Sequence, residues 1–290
     1  MKTHVLALLA FAALGGACQR HTEGDRATVS AVHTRPAVER RPAEARPEPR
    51  PALVPVPAAP AAPAPQLTAD MRALLRDYDL SPLWQTPVEN GRSLDGFFGA
   101  DHYRLELVLL AVRKDSLRPE LYHIQGKNRF KKRITPFAGT LTLHQLQDLP
   151  LEREEAGEDA RAYTATGTFE LRENPGRAGA GRFAGTVATD FRLQPSAQGG
   201  LQLWYGTGTD HSPTQGSGFK FEGQWTAYQG GAGKPCVWAD QFLVIGSSVL
   251  KDFVVGERDV NINPRYAKLG WDTYWENDEW WATAPATARR

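Results

Sequence analysis

The sequence predicts an all-β domain, an antiparallel up-and-down meander that forms a barrel or a sandwich, with a short N-terminal helix. The clearest observation is the stretch Gly218–Val244, where the residues of two faces alternate from Phe219 to Tyr228, as in a half-buried antiparallel strand. Similar runs follow one another at hairpin spacing, which favours pairing between neighbours in sequence. Closing the meander into a barrel would remove its exposed edges, and a two-sheet sandwich is the alternative.

Charge and cysteine content exclude several classes of protein. The chain has 290 residues and a formal net charge of +1, so no basic surface for nucleic acid is predicted. After the first fourteen residues, no apolar run approaches the ~20 residues that span a membrane. One cysteine, Cys18, lies in the leader and the other, Cys236, in the folded part, so an internal disulfide is not expected.

The first eighteen residues read as an export signal. Lys2 supplies the positive start and Val5–Leu14 the apolar segment. The sequence Leu14–Cys18 resembles the lipobox of bacterial lipoproteins, which implies acylation of Cys18 and a location at the periplasmic face or in the outer membrane. The usual leucine three places before the cysteine is replaced by Gly15, so cleavage without acylation stays open.

Residues 19–66 are predicted to be a disordered tether. They hold ten of the chain's 21 prolines and no phenylalanine, tyrosine or tryptophan, so they cannot form a core. An extended polyproline-like chain of this length reaches ~150 Å. We therefore expect three regions: a signal peptide at 1–18, a tether at 19–66 and a β domain at 67–290.

The β domain is expected to begin with a helix, Thr68–Tyr78. Thr68 can cap it, and its apolar residues recur at helical spacing, which predicts packing against the sheet. These residues are Met71, Leu74, Leu75 and Tyr78.

Strands are expected from there to the C-terminal segment. Tyr103–Val112 alternates and Leu121–Gly126 pairs back onto it, while the basic run Lys127–Arg133 reads as a solvated hairpin edge. Three glycine-containing repeats of strand sequence follow, and a Gly-rich turn at residues 230–235 leads into a second strand, Cys236–Val244.

Three segments of the folded part resemble uncharacterised β-rich bacterial lipoproteins. They are Lys127–Phe130, Pro136–Thr140 and Lys234–Trp238. This resemblance implies an envelope location but brings no activity and no site residues.

Cys236 and His211, each with an acidic residue nearby, suggest an envelope hydrolase as the alternative function. A catalytic cysteine needs a base that forms the thiolate and a group that orients the base. No nucleophile-elbow spacing surrounds either residue, and Cys236 begins a strand that carries a tryptophan, as a buried inert thiol would. A non-catalytic domain is therefore favoured.

The sequence predicts no metal site and no cofactor. Asp259–Gly270 opens like a calcium loop, but proline stands at its sixth position and glycine at its twelfth, where glycine and glutamate are needed. The histidines show no zinc-ligand spacing.

Five tryptophans are the candidate binding residues. They lie on the strand near 204 and in the C-terminal segment, where interleaved carboxylates oppose full burial. A glycan or another envelope protein is the expected partner, and an aromatic cover over one end of the barrel is the alternative. The five are Trp204, Trp271, Trp275, Trp280 and Trp281.

Overall fold

The computed structural model describes residues 67–87, 91–151, 160–207, 212–216, 218–256 and 261–282. Within them, nine antiparallel strands form one sheet that closes in a ring, so the predicted all-β meander is confirmed and the barrel is preferred over the sandwich. The predictions for the signal, Cys18, the tether and His211 lie outside the described residues. No described helix is long and apolar enough to cross a bilayer.

Nine strands build the barrel, and a smaller two-stranded sheet and short helices complete the domain. The barrel strands are β1 Leu94–Phe98, β2 Tyr103–Lys114, β3 Leu121–Phe130, β4 Arg133–Leu149, β5 Arg161–Glu173, β6 Gly181–Pro195, β7 Leu201–Tyr205, β8 Phe219–Ala227 and β9 Lys234–Ala239. The remaining elements are α1 Ala69–Asp77, α2 Ser81–Trp84, α3 Leu243–Gly246, β10 Val254–Val255, β11 Asn261–Ile262 and a 3-10 helix, Pro264–Leu269.

Hairpins between neighbours in sequence form most of the ring, and the pairing of β9 with β1, which we call the seam, closes it. β1 to β6 pair in sequence order. One edge of β6 pairs with β8 along residues 181–189 and with β7 along residues 191–195, so these two strands share one position in the ring. β8 pairs with β9, and β9 pairs with β1, where Gly96 lies opposite Trp238.

The barrel interior is a packed apolar core. Alternate residues of each strand point inward because side chains alternate across a strand. Phe221 and Trp238 stack at its centre, with ring centroids 5.1 Å apart. Gly185 faces Gly223 so closely that a Cβ on Gly185 would lie 2.5 Å from the Gly223 Cα, which is why these strands approach without side chains there.

Helices α1 and α2 cover one end of the barrel, which we call the base. The predicted helix is confirmed: the Thr68 hydroxyl accepts a hydrogen bond from the Met71 amide at 3.3 Å, and Leu75 is fully buried. Trp84 of α2 donates from Nε1 to the Thr189 hydroxyl at 2.8 Å. Lys114 of β2 donates to three carbonyls at the end of α1.

The predicted strand Cys236–Val244 is too long. β9 ends at Ala239, and the chain then leaves the barrel so that Phe242 packs outside it, tilted against Trp271 with centroids 4.6 Å apart. Alternation could not show this because the outward face of the barrel is also apolar here: Phe97 and Ala239 belong to a second buried cluster.

This second cluster lies under the segment that follows β9, which we call the outer cover (residues 240–256 and 261–282). The cover packs on the outward face of β1 and β9 through the buried cluster. It continues across β2 and β3, where Arg104 donates to the Thr273 hydroxyl at 3.0 Å and Lys127 donates to the Trp281 carbonyl at 2.7 Å. The C-terminal aromatics therefore cover a side wall of the barrel, and the predicted cover over one end is wrong.

Candidate functional site at the barrel mouth

Trp271 belongs to the hydrophobic core of the outer cover. It is 0% exposed, its ring lies 5.5 Å from that of Phe97, and its Nε1 donates to the His102 carbonyl at 3.2 Å. A ring without exposed surface has no face for a ligand, so the structure gives no support to the binding role predicted for Trp271. The segment buries this ring while keeping its carboxylates outside, because Asp272 is at the surface.

The other four predicted tryptophans do not form one site. Trp275 is 53% exposed on the cover and Trp204 is 44% exposed on β7. Trp280 and Trp281 are half-buried and perpendicular to each other, and the Arg129 guanidinium lies 5.2 Å from the Trp280 ring centroid. Within the described ranges no ring contact joins Trp204 to the C-terminal group.

An ion-pair network fastens the outer cover to the barrel. Arg104 Nε lies 2.6 Å from Asp95 Oδ1, and Arg129 Nη2 lies 2.6 Å from Glu106 Oε1. Arg129 also pairs with Asp278 of the cover. Burial raises the pKa of Asp95 to about 6, and the positive charge of Arg104 offsets part of that rise. These charges are paired with one another, as buried charges must be, and their role is structural.

A cavity opens at the other end of the barrel, which we call the mouth. Its volume is ≈ 290 Å³. It reaches solvent beside Lys234, which is exposed. Aromatic rings, buried polar groups and basic side chains line it, which is the composition of small-molecule sites. The lining residues are Phe98, Leu105, Asn128, Phe130, Arg133, Thr135, Glu173, Gly179, Phe183, Trp225 and Lys234.

Four rings at the mouth form a continuous row in edge or tilted contact. Tyr103 lies 5.2 Å from Phe130, Phe130 lies 4.5 Å from Phe98, and Phe98 lies 5.6 Å from Trp225, measured between centroids. We call these four residues the aromatic row. They come from β1, β2, β3 and β8, so the rigid sheet holds the row in place.

Glu173 is a buried acid with neutral partners. It is 5% exposed, and its carboxylate accepts hydrogen bonds from Asn128 Nδ2 at 2.8 Å, the Gly181 amide at 2.8 Å and Trp225 Nε1 at 3.1 Å. No basic side chain of the described residues lies within ion-pair distance of it. Its carboxylate therefore orients the Trp225 ring and leaves a negative group in the wall of the cavity.

Five basic residues surround the mouth. Each lies in a turn at this end or directly beside one, and none forms an ion pair with another described residue. The same turns hold one exposed acid, Asp101. The five, which we call the basic rim, are Lys131, Lys132, Arg133, Arg177 and Lys234.

Three other clefts are larger but chemically less distinctive. One of ≈ 460 Å³ lies beside α1, where Asp70, Asp77 and Asp148 line it together with Arg161. A second, of ≈ 550 Å³, lies at the turn between β6 and β7 and has no aromatic ring in its lining. The third, of ≈ 650 Å³, runs under the outer cover, where Arg129 and Glu106 are paired with each other. Of these four clefts the mouth has the most aromatic lining, with four rings, and its two basic residues, Arg133 and Lys234, form no ion pair with a described residue, so it is the strongest candidate site.

Cys236 has the environment of a core thiol. It is 3% exposed at the start of β9, and burial raises the pKa of its thiol to about 12. A thiol in that state is almost wholly protonated near neutral pH and is a poor nucleophile. The geometry therefore gives no support to a hydrolase that uses Cys236.

Comparisons with protein-family models, with curated proteins and with solved structures found no match to this chain. The chemistry of the mouth is consequently the basis for any proposal about function.

The mouth was not among the sites predicted from the sequence. The basic run Lys127–Arg133 was expected to be a solvated hairpin edge, and neither Trp225 nor Glu173 was a candidate. A usable signal was present, because alternate turns of an up-and-down meander lie at the same end of the barrel. Counting the basic and acidic residues in alternate turns would have identified the basic rim from the sequence.

Proposed function

We propose that this chain is a non-catalytic binding protein of the bacterial cell envelope whose β domain takes a small ligand into the barrel mouth. The observation that carries the proposal is the cavity of ≈ 290 Å³, with ring walls and a few convergent polar groups. The walls belong to the barrel strands themselves, so the site is preformed and binding costs little reorganisation.

The proposal includes a lipid anchor at Cys18. The apolar leader, the small residues before the cysteine and the proline-rich stretch after it support this arrangement. A tether of that composition would let the barrel bind ligand away from the membrane surface. Membrane fractionation of a Cys18→Ala variant tests the anchor: we expect the protein to move to the soluble fraction, and unchanged membrane association would refute it.

Ligand binding can be tested with N-phenyl-1-naphthylamine, a neutral apolar dye that fluoresces when it leaves water. We expect saturable binding, and we expect Phe130→Ala to weaken it at least fivefold because one ring of the aromatic row is removed. Trp275→Ala is the matched control, since this ring is exposed on the outer cover. Binding that both variants reduce equally, or that neither reduces, would contradict a site at the mouth.

Exposed rings support a second candidate function, contact with a glycan or another envelope protein. Trp275 and Trp204 keep about half of their side chains in solvent, and exposed tryptophan faces stack on sugars or on protein partners. A Trp204→Ala, Trp275→Ala double variant that loses retention on cell-wall glycan while still binding the dye would favour this second function.

The hydrolase alternative is separated from the binding protein by thiol labelling. We expect Cys236 in the native protein to resist iodoacetamide near pH 8 and to react after unfolding, because the thiol is buried. Rapid labelling of the native protein would return the catalytic cysteine to consideration.

A further inference from the structure

We propose that the ligand of the mouth cavity is a small amphipathic anion, held with its apolar body among the rings and its acidic group at the basic rim. This inference rests on the proposed binding function and specifies the chemistry of the ligand. A short-chain fatty acid and an aromatic carboxylate, sulfonate or phosphate share that chemistry.

Charge is the first argument. The chain as a whole carries a formal net charge of +1, yet Arg133 and Lys234 line the cavity, and the turns at this end add three more basic residues and one exposed acid, Asp101. Two of the three, Lys131 and Lys132, also line the cleft under the outer cover, where Asp272, Glu276 and Asp278 are the acids of the cover. Charges of one sign around a low-dielectric opening raise the local concentration of the opposite charge and speed its capture. An anion is the ligand that this field attracts.

The backbone of the β3–β4 turn is the second argument. Lys131 and Lys132 form its two central positions and have φ values of 49° and 65°. Two-residue turns with both central residues at positive φ are favoured by Asn-Gly, because side chains other than Asn and Gly pay a steric cost there. The protein places two lysines at positions that disfavour them, which points to a use for their charges.

The aromatic row places the ammonium groups beside the cavity. Lys131 Nζ lies 4.9 Å from the Tyr103 centroid and 5.4 Å from that of Phe130. Lys234 Nζ lies 5.5 Å from the Phe98 centroid and 5.7 Å from that of Trp225. Attraction between ammonium groups and ring faces thus holds the two lysines at the two ends of the row, each able to meet an acidic group of a ligand.

Glu173 sets the orientation of the ligand. Its carboxylate is buried in the cavity wall and bound by three neutral N–H donors, so it repels a second anion at that depth. An acidic group is consequently favoured at the rim, and the apolar body inside. The volume of ≈ 290 Å³ corresponds to about ten water molecules at ~30 Å³ each, which suits an enclosed body of about ten non-hydrogen atoms, such as the naphthyl rings of the dye with its phenyl ring at the opening.

The proposal is tested on the intact folded protein by displacing the neutral dye with three ligands that share an eight-carbon tail and differ in the charge of the head group. The competitors are octanoate, 1-octanol and octylammonium near pH 7. We expect octanoate to displace the dye at concentrations about tenfold lower than octanol, and octylammonium to be the weakest. Raising the salt concentration should weaken octanoate and leave octanol unchanged, because salt screens exposed charges.

A double variant tests whether Lys131 and Lys132 cause the preference for octanoate over octanol. Lys131→Asn with Lys132→Gly should reduce the advantage of octanoate over octanol about tenfold. Arg72→Gln with Arg118→Gln, which removes two charges at the base, is the matched control and should change nothing.

The outcomes separate the two proposals. If neither the dye nor octanol binds, the cavity is not a binding site and the proposed function fails. If both bind but octanoate has no advantage, if octylammonium is preferred, or if the double variant keeps the full advantage, the anion inference is overturned while the binding function stands.

Discussion

Replacing Lys131 by Asn and Lys132 by Gly should make the barrel more stable, although these lysines are proposed to bind ligand. Both residues have positive φ, a conformation that costs a residue with a Cβ about 1–2 kcal/mol. Asn relieves part of this cost and Gly all of it, for a gain of about 2 kcal/mol. Loss of the Lys131 contacts with Tyr103 and Phe130 removes about 0.5–1 kcal/mol.

The net gain is therefore about 1 kcal/mol, which corresponds to a rise in Tm of about 2–4 °C for a domain of this size. Urea unfolding followed by tryptophan fluorescence measures the free energy, and calorimetry measures Tm. Lys131→Gln with Lys132→Gln is the control, because it removes both charges but keeps the backbone cost. Equal stabilisation by the Gln pair would show that charge repulsion is relieved instead, and destabilisation by the Asn-Gly pair would refute the argument from the turn.

Three further predictions concern buried groups. The folded-state pKa of Asp95, about 6, exceeds its ordinary value, so the stability that protonated Asp95 contributes is fully present below about pH 4 and is lost as the pH rises through 6. Relative to Asp95→Asn, the free energy of unfolding of the wild type should fall by up to about 3 kcal/mol between pH 4 and 8 in urea titrations. A difference that stays constant over this range would contradict the prediction. Glu173→Gln should cost about 2 kcal/mol in the same assay because an amide donor then faces other donors, whereas Glu222→Gln at the surface should cost under about 0.5 kcal/mol. Trp271→Ala should cost about 3–5 kcal/mol and Trp275→Ala almost nothing; similar losses would mean that Trp271 is not the centre of the outer cover.

The alternation of apolar and polar residues was sufficient to predict the strands of the barrel but not the segment that packs outside it. The alternation from Phe219 to Tyr228 predicts β8 to within one residue of its end at Ala227. The outer cover was missed because Phe242 and Val244 continue an alternating pattern that equally suits a short helix packed on a wall. A signal of that wall was present in Phe97 and Phe98, two adjacent large apolar residues that must face opposite sides of one strand.

The candidate site was missed for a different reason. Its groups come from turns far apart in sequence, and only closure of the ring brings Lys131, Arg177 and Lys234 to one opening. A net charge summed over the chain hides such clustering, because acids elsewhere on the surface cancel it. The exposed tryptophans drew the prediction to the C-terminal segment, where Trp271 turned out to be needed for packing.

The outer cover has a consequence for the order of folding. It lies across the seam where β9 meets β1, and this seam joins strands from the two ends of the barrel sequence. Hairpins between sequence neighbours close short loops and form early, while the seam must bring distant residues together and forms late. Until it closes, β1 and β9 are bare edges on which a second chain could pair. Because the cover contacts both strands, through Phe97 of β1 and Ala239 of β9, we expect it to dock after they pair and to slow the reopening of the ring.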